Sequence, residues 1–262
     1  MTKLLYADLT YKLRGAGFHV HNALGGGHDE ADYEKALVYA LECEAIPCQQ
    51  QRTYRVDYRD QQVGEYRPDL VFADGKLLLD LKATLEIEAV HKAQMISYLA
   101  VTNAELGLVM NFGAPLLQVE RLPNFLADRP RQSAKVVLPA DLPQIALVQR
   151  ILETLTAVYH GLGPGFIHQV YRRATRIELS LFGLNSDYLQ ELPLRYRNIT
   201  LSMKPVRFFW IEKRILLATV ALQQVTTEHT EKLHWALRET DCSLGIIANF
   251  YPMQLELHYV QV

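Results

Sequence analysis

The chain has 262 residues, 49% hydrophobic and 21% charged, with a formal net charge of −2. That composition is one of a soluble globular protein able to bury a full core, and the length allows one large domain or two ordinary ones. No run of 18 apolar residues occurs, which excludes a spanning helix, and the three cysteines are too few and too irregularly spaced for a disulfide framework, a structural zinc site or an iron–sulfur cluster. Buried free thiols are the expectation for Cys43, Cys48 and Cys242. The first eight residues hold no long apolar stretch and no small-residue cleavage site, so a cytoplasmic protein is expected. Charge is unevenly spread. Residues 1–120 carry 11 Lys/Arg against 17 Asp/Glu, a balance of −6, and residues 121–262 carry 16 against 12, a balance of +4. A basic second half could hold a polyanion beside an acidic, metal-binding first half, although ordinary surface variation would look the same.

In chain order, apolar periodicity predicts a helix near 9–22 that stops at Gly25-Gly26-Gly27, and a second helix near 29–44. Short β-branched and aromatic runs predict strands near 53–58, 70–73 and 76–83. A helix near 89–102 and strands near 107–111 and 116–120 close the unit. The predicted architecture is an α/β sandwich, a mixed sheet flanked by helices.

The rest of the chain repeats this unit. Leu24-Gly25-Gly26-Gly27 is matched by Leu162-Gly163-Pro164-Gly165, Tyr33 by Tyr171, and Met110-Asn111-Phe112 by Ala248-Asn249-Phe250. The offset is 138 both from Gly27 to Gly165 and from Asn111 to Asn249, so the halves align without a gap. The expected division is a first domain at 1–121, a linker at 122–142 rich in proline and basic residues, and a second domain at 143–262.

The chemistry in the first half centres on Pro68-Asp69 and Asp80-Leu81-Lys82. Residues two apart on a strand share a face, so Asp80 and Lys82 point together, and Asp69 on the preceding strand can reach them across a hairpin. Two carboxylates so placed suit Mg²⁺, which takes oxygen ligands and keeps several waters; the ion would activate a water and neutralise phosphate charge. An Asp-x-Lys on a strand can be merely a solvated face. Here the strand is otherwise apolar on both sides, and charges in such a setting are costly unless paired or metal-bound. Glu30, early in the second helix, offers a third carboxylate. Gln94 and Tyr98 share a helix face and can hydrogen-bond to substrate, or can simply pack. His91 has a counterpart, His229, in a half without the carboxylates, and is read as structural.

The ordered motifs Gly27-x-x-Glu30-x-x-Tyr33, Tyr66-Arg67-Pro68-Asp69-Leu70, Asp80-Leu81-Lys82-Ala83, His91-x-x-Gln94-x-x-x-Tyr98 and Asn111-Phe112-Gly113 resemble the GxxExxY family of the PD-(D/E)XK nuclease superfamily. The resemblance covers nearly all of residues 5–121. It implies a restriction-endonuclease-like core, present twice in tandem, and hydrolysis of phosphodiester bonds with Mg²⁺ or Mn²⁺. By that resemblance Asp69, Asp80, the Leu81 carbonyl and Glu30 would hold the metal, Lys82 would be the catalytic lysine, and Gln94 and Tyr98 would complete the catalytic set. One departure is Asp80, where Glu is usual in the family.

In the second half those positions read His168, Arg207, Ala218, Val220, Lys232 and Ala236. Every proposed catalytic residue is gone while glycines and apolar residues persist, so the second half is expected to be a degenerate copy used for binding or structure. The expected function is a metal-dependent nuclease acting on nucleic acid, DNA ahead of RNA, with no membrane partner and with a homo-oligomer or an intramolecular pseudo-dimer as its assembly. Two other readings stay open: a non-catalytic nucleic-acid-binding or assembly protein with a vestigial site, and a protein-interaction module that borrows the fold.

Overall fold

The computed structural model describes residues 4–125, 139 and 142–262. The chain divides into two compact units, one made of Met1–Val56 and Gly64–Arg129, the other of Asp57–Val63 and Pro130–Val262.

The first unit opens with helices α1 (Ala7–Leu24) and α2 (Glu30–Cys43). Leu13, Ala16 and Val20 recur at helical spacing on α1 and are buried, as are Tyr33, Leu37 and Leu41 on α2, whereas Tyr11 and Tyr39 lie on the opposite faces and are exposed. Strands β1 (Gln49–Gln50), β2 (Tyr54–Tyr58), β3 (Gln61–Tyr66), β4 (Leu70–Phe72) and β5 (Leu77–Lys82) follow, then α3 (Ala89–Thr102), β6 (Leu106–Asn111) and β7 (Gln118–Pro123). The main sheet has the order β1-β4-β5-β6-β7, while β2 and β3 form a separate hairpin. β5 and β6 run parallel with α3 as their crossover, and the other neighbours are antiparallel. Every residue of β5 and of β6 is buried, the mark of central strands covered on both faces. Leu77, Leu79 and Leu81 pack into one core with α1 and α2. The alternation of the strand turns Asp80 and Lys82 to the other face, beside α3.

The second unit contains α4 (Ile145–Leu162), α5 (His168–Leu181), β8 (Ser186–Tyr196), β9 (Ile199–Ile211), β10 (Ile215–Val220), α6 (Thr227–Thr240), β11 (Leu244–Asn249) and β12 (Glu256–Gln261), with sheet order β12-β11-β10-β9-β8. Shifting by 138 carries α1, α2, β5, α3, β6 and β7 onto α4, α5, β10, α6, β11 and β12 with no change at either end of any element. Only the hairpin differs. β8 and β9 are continuous, whereas in the first unit the same stretch is broken at 51–53 and at 67–69 into β1/β2 and β3/β4. The second break contains Pro68, whose counterpart is Val206, but β9 runs unbroken through Pro205, so a proline alone does not set the break. The hairpin tip at 57–63 clusters with the second unit. There Tyr58 and Arg59 donate to the fully buried Glu178 at 2.6 and 2.7 Å.

The polar connections repeat as faithfully as the elements. Tyr33 OH donates to Gly25 O at 2.7 Å and its ring stacks on Phe112; Tyr171 OH donates to Gly163 O at 2.7 Å and stacks on Phe250. The buried Asn111 donates to Thr84 O and Gln118 and accepts from the N–H of Thr84. Asn249 does the same with Leu222 and Glu256. The glycine loop, the central strand end and the following turn are thus fastened by the residues that the sequence repeats.

The predicted helices and strands agree with these elements to within two residues at most ends. β1 and β3 were not foreseen, because the runs Gln49–Gln50 and Gln61–Tyr66 are mostly polar and exposed. Of the linker expected at 122–142, Leu122 and Pro123 belong to β7, and 126–138, 140 and 141 lie outside the described residues. The expectation of buried thiols is corrected at two positions. Cys242 is buried, but Cys43 is exposed and Cys48 half-buried; all three are free.

Asn111→Ala and Asn249→Ala should each destabilise their own unit by about 1–3 kcal/mol, because each strands buried backbone groups that the side-chain amide now satisfies. Urea unfolding of both variants measures this; an unchanged midpoint in either would show that the amide is dispensable.

Candidate active site

The break before β4 and the end of β5 build the site together. β4 and β5 are antiparallel with Leu70 opposite Leu79, so Asp69 comes opposite Asp80. β4 ends there, and the Leu81 N–H, beyond the last strand partner, is taken by the Asp69 carboxylate at 2.6 Å. Glu30, the first residue of α2, accepts the N–H of Ala83 at 3.3 Å. Side-chain carboxylates from two other elements therefore cap the backbone on either side of Lys82. The Tyr33 hydroxyl also accepts the His28 N–H, which with the Gly25 contact orders the loop that presents Glu30.

Asp80 is 1% exposed and Lys82 8%. The Lys82 ammonium lies 2.6 Å from Asp80 Oδ2, the pairing that buried charges require. On α3, Gln94 Nε2 donates to the Tyr98 hydroxyl at 2.7 Å, and the Tyr98 ring meets Tyr66 edge-on. Burial, then the negative charge of Asp80, pushes the Tyr98 hydroxyl above its ordinary range. All six side chains expected in the site are accordingly found about the end of β5. His91 is not part of it: its Nδ1 accepts the Glu88 N–H and closes a capping box at the start of α3, as His229 does with Thr226 on α6.

The electrostatics are those of crowded acids. Burial and then the charge of Asp80 push the Asp69 carboxyl up to about 7, against the opposing pull of the Leu81 N–H and Lys82. Burial also raises Asp80, with Lys82 opposing and Glu30 adding repulsion. Three carboxylates face one cation, a donor set whose charge a divalent ion would balance. Among the described residues no group of three or more His, Cys, Asp or Glu side chains is arranged to hold a metal ion. The half-buried Asp69 and the buried Asp80 are nevertheless a donor set of the kind Mg²⁺ takes, since that ion binds through one or two carboxylates and retains waters.

The counterparts in the second unit also converge. His168, Arg207, Ala218, Val220, His229 and Lys232 line one cavity of about 210 Å³. Arg207, in the place of Asp69, has φ 66°, a left-handed backbone uncommon for a residue with a side chain. The same positions that gather carboxylates in one unit gather cations and small apolar groups in the other.

A model of the PD-(D/E)XK nuclease superfamily matches residues 7–122 and, a second time, 146–261. The chain belongs to the PD-(D/E)XK nuclease superfamily. No curated protein matches it. The crystal structure of SSO0001 aligns over 46% of this chain and 79% of that one, at 11% identity and a TM-score of 0.26. Two PD-(D/E)XK repeats in tandem explain why the elements recur at one offset. Sequence reasoning did not foresee the backbone donors Leu81 and Ala83.

The raised Asp69 sets a pH dependence. Its folded value of about 7 lies above the unfolded 3.8, so the native state holds the proton more tightly. Metal-free protein should therefore lose stability as pH rises from about 4 through about 7. Urea unfolding in chelator at pH 5 and pH 8 should show the loss in the wild type and a smaller one in Asp69→Asn. Equal losses would place the pH dependence elsewhere.

Proposed function

We propose that the chain is a nuclease that hydrolyses phosphodiester bonds of nucleic acid, DNA ahead of RNA as the candidate, at the first-unit site with Mg²⁺ or Mn²⁺. The observation that carries this reading is the gathering of Asp69, Asp80 and Lys82 at one strand end, with Glu30 beside them. Superfamily membership supports it. Asp69, Asp80 and the Leu81 carbonyl would hold the ion, with Glu30 completing the shell. The bound ion would lower the pKa of a water and neutralise charge on the scissile phosphate.

The chain's own groups have separate tasks in this mechanism. Lys82, held by Asp80, orients the attacking water toward phosphorus and stabilises the charge that builds on the phosphate oxygens. Asp69, by holding the Leu81 N–H, fixes the strand end from which Lys82 projects. Gln94 and Tyr98, joined to each other, offer a donor and an acceptor for positioning the substrate backbone. The second unit, which lacks every one of these groups, serves in binding or structure as a pseudo-nuclease half of an intramolecular pseudo-dimer. Among the described residues no helix is long and apolar enough to cross a membrane.

A second reading, a nucleic-acid-binding or assembly protein with a vestigial site, is favoured by one observation: Lys82 already neutralises Asp80, and no three-ligand group is formed among the described residues. Labelled single- and double-stranded DNA and RNA, incubated with and without Mn²⁺, separate the two. Under the nuclease reading Asp80→Ala and Lys82→Ala remain folded by circular dichroism and lose cleavage by about 10²-fold or more. Cleavage by Asp80→Ala equal to the wild type would sink the assignment, and absence of any metal-dependent cleavage would favour the second reading.

A further inference from the structure

The cavity left where the second unit's active site would be has not simply filled in. We propose that it is a binding site for a phosphate-bearing nucleotide, with the phosphate held by Arg172 and Arg207 and the base or sugar lying on the cavity's apolar wall. This refines the binding role given above to the second unit, and it does not require that the first unit hydrolyse anything.

Three observations carry it. The first is shared lining and size. Arg172 and Arg207 both line the cavity of about 210 Å³, and both also line a second cavity of about 240 Å³. A space of this size takes one nucleotide residue. The second is charge. His168, His229 and Lys232 line the first cavity, Arg173 and Arg176 the second, and no carboxylate lines either. Among the described residues neither Arg172 nor Arg207 is in an ion pair. Their proximity is unfavourable without an anion: desolvation, then the charges of Arg172 and Arg207, hold the His168 imidazole below its usual range, and burial with the charge of Arg207 acts likewise on Arg172. A metal ion would be repelled here, and a dianion would relieve the strain. Planar guanidinium groups match phosphate oxygens with paired hydrogen bonds.

The third observation is the wall. Val206, Phe208, Ala218, Val220 and Ile247 line the 210 Å³ cavity, a surface suited to a flat ring and wasted on an inorganic ion. In the first unit Asp80 and Lys82 stand in the places of Ala218 and Val220, so the apolar wall belongs to the second unit alone.

The test is calorimetric titration of the full chain in chelator, which removes metal-dependent binding at the first site. The probes are a nucleoside 5′-monophosphate, the same nucleoside without phosphate, and a short single-stranded oligonucleotide with and without a 5′-phosphate. The monophosphate should bind about tenfold or more tightly than the nucleoside. Arg172→Ala and Arg207→Ala should each lose about tenfold, with Arg207→Lys recovering part of it. Arg207→Ala combined with Lys232→Ala should flatten the log–log salt dependence of oligonucleotide binding by about two. Preference for the 5′-phosphorylated oligonucleotide identifies a strand end as the source, and binding of the monophosphate without the oligonucleotide identifies a free nucleotide; either supports the site. Asp80→Ala should bind like the wild type, so that loss of cleavage and loss of nucleotide binding are read separately. Equal affinity for nucleoside and monophosphate, or wild-type affinity in Arg207→Ala, would overturn the proposal.

Discussion

Strands β5 and β6, and their counterparts β10 and β11, lie between helices on one side and α3 or α6 on the other, with every residue but Val220 buried. Buried on both faces, such strands tolerate charge only where a partner stands close by. In the first unit that demand is met by Lys82 against Asp80 and by the Asp69 carboxylate on the Leu81 N–H. In the second unit Ala218 and Val220 remove the demand. The same constraint fits the presence of both Asp80 and Lys82 in one copy and the absence of both counterparts in the other. Losing one member of a buried charge pair is worse than losing both, because the survivor is left desolvated and alone.

What did not change between the copies is equally telling. The Tyr33 and Tyr171 hydroxyls tie the glycine loop to the second helix, and Asn111 and Asn249 tie the end of the central strand to the next turn. His91 and His229 cap the third helix of each unit. These groups are polar and motif-like, but their bonds go to backbone and side-chain groups of their own unit, and those bonds fasten the fold. Residues facing the cavity diverged while residues fastening the loops around it did not. The scaffold thus keeps presenting the same set of positions to the same space, and the chemistry there follows the side chains that occupy them.

Charge inversion follows from that arrangement. The first site sets the half-buried Asp69, the buried Asp80 and Glu30 against one lysine; burial and the charge of Asp80 push the Asp69 carboxyl up, and burial and the charge of Glu30 push Asp80 up. The second gathers His168, Arg172, Arg207 and Lys232 about one cavity with no acid in its lining. One lining is rich in acids and the other in cations.

The repeat, the α/β class and the identity of Asp69, Asp80 and Lys82 were legible in the chain, because a gapless offset, 3.6- and 2-residue periodicities and charges inside an apolar strand are local features of sequence. The helix limits followed from the same periodicity and from the glycines. The polar strands β1 and β3 did not, since their pairing is set by the hairpin partner and not by their own composition. Nor could the chain alone reveal that Leu81 and Ala83 lend their N–H groups to Asp69 and Glu30. That depends on where β4 stops relative to β5, a register fixed only when the sheet forms. The cavity of the second unit is of the same kind. Arg172, Arg207 and Lys232 are scattered over three elements, and only the packing of α5 and α6 around β9 and β10 brings their charges to one wall of apolar side chains.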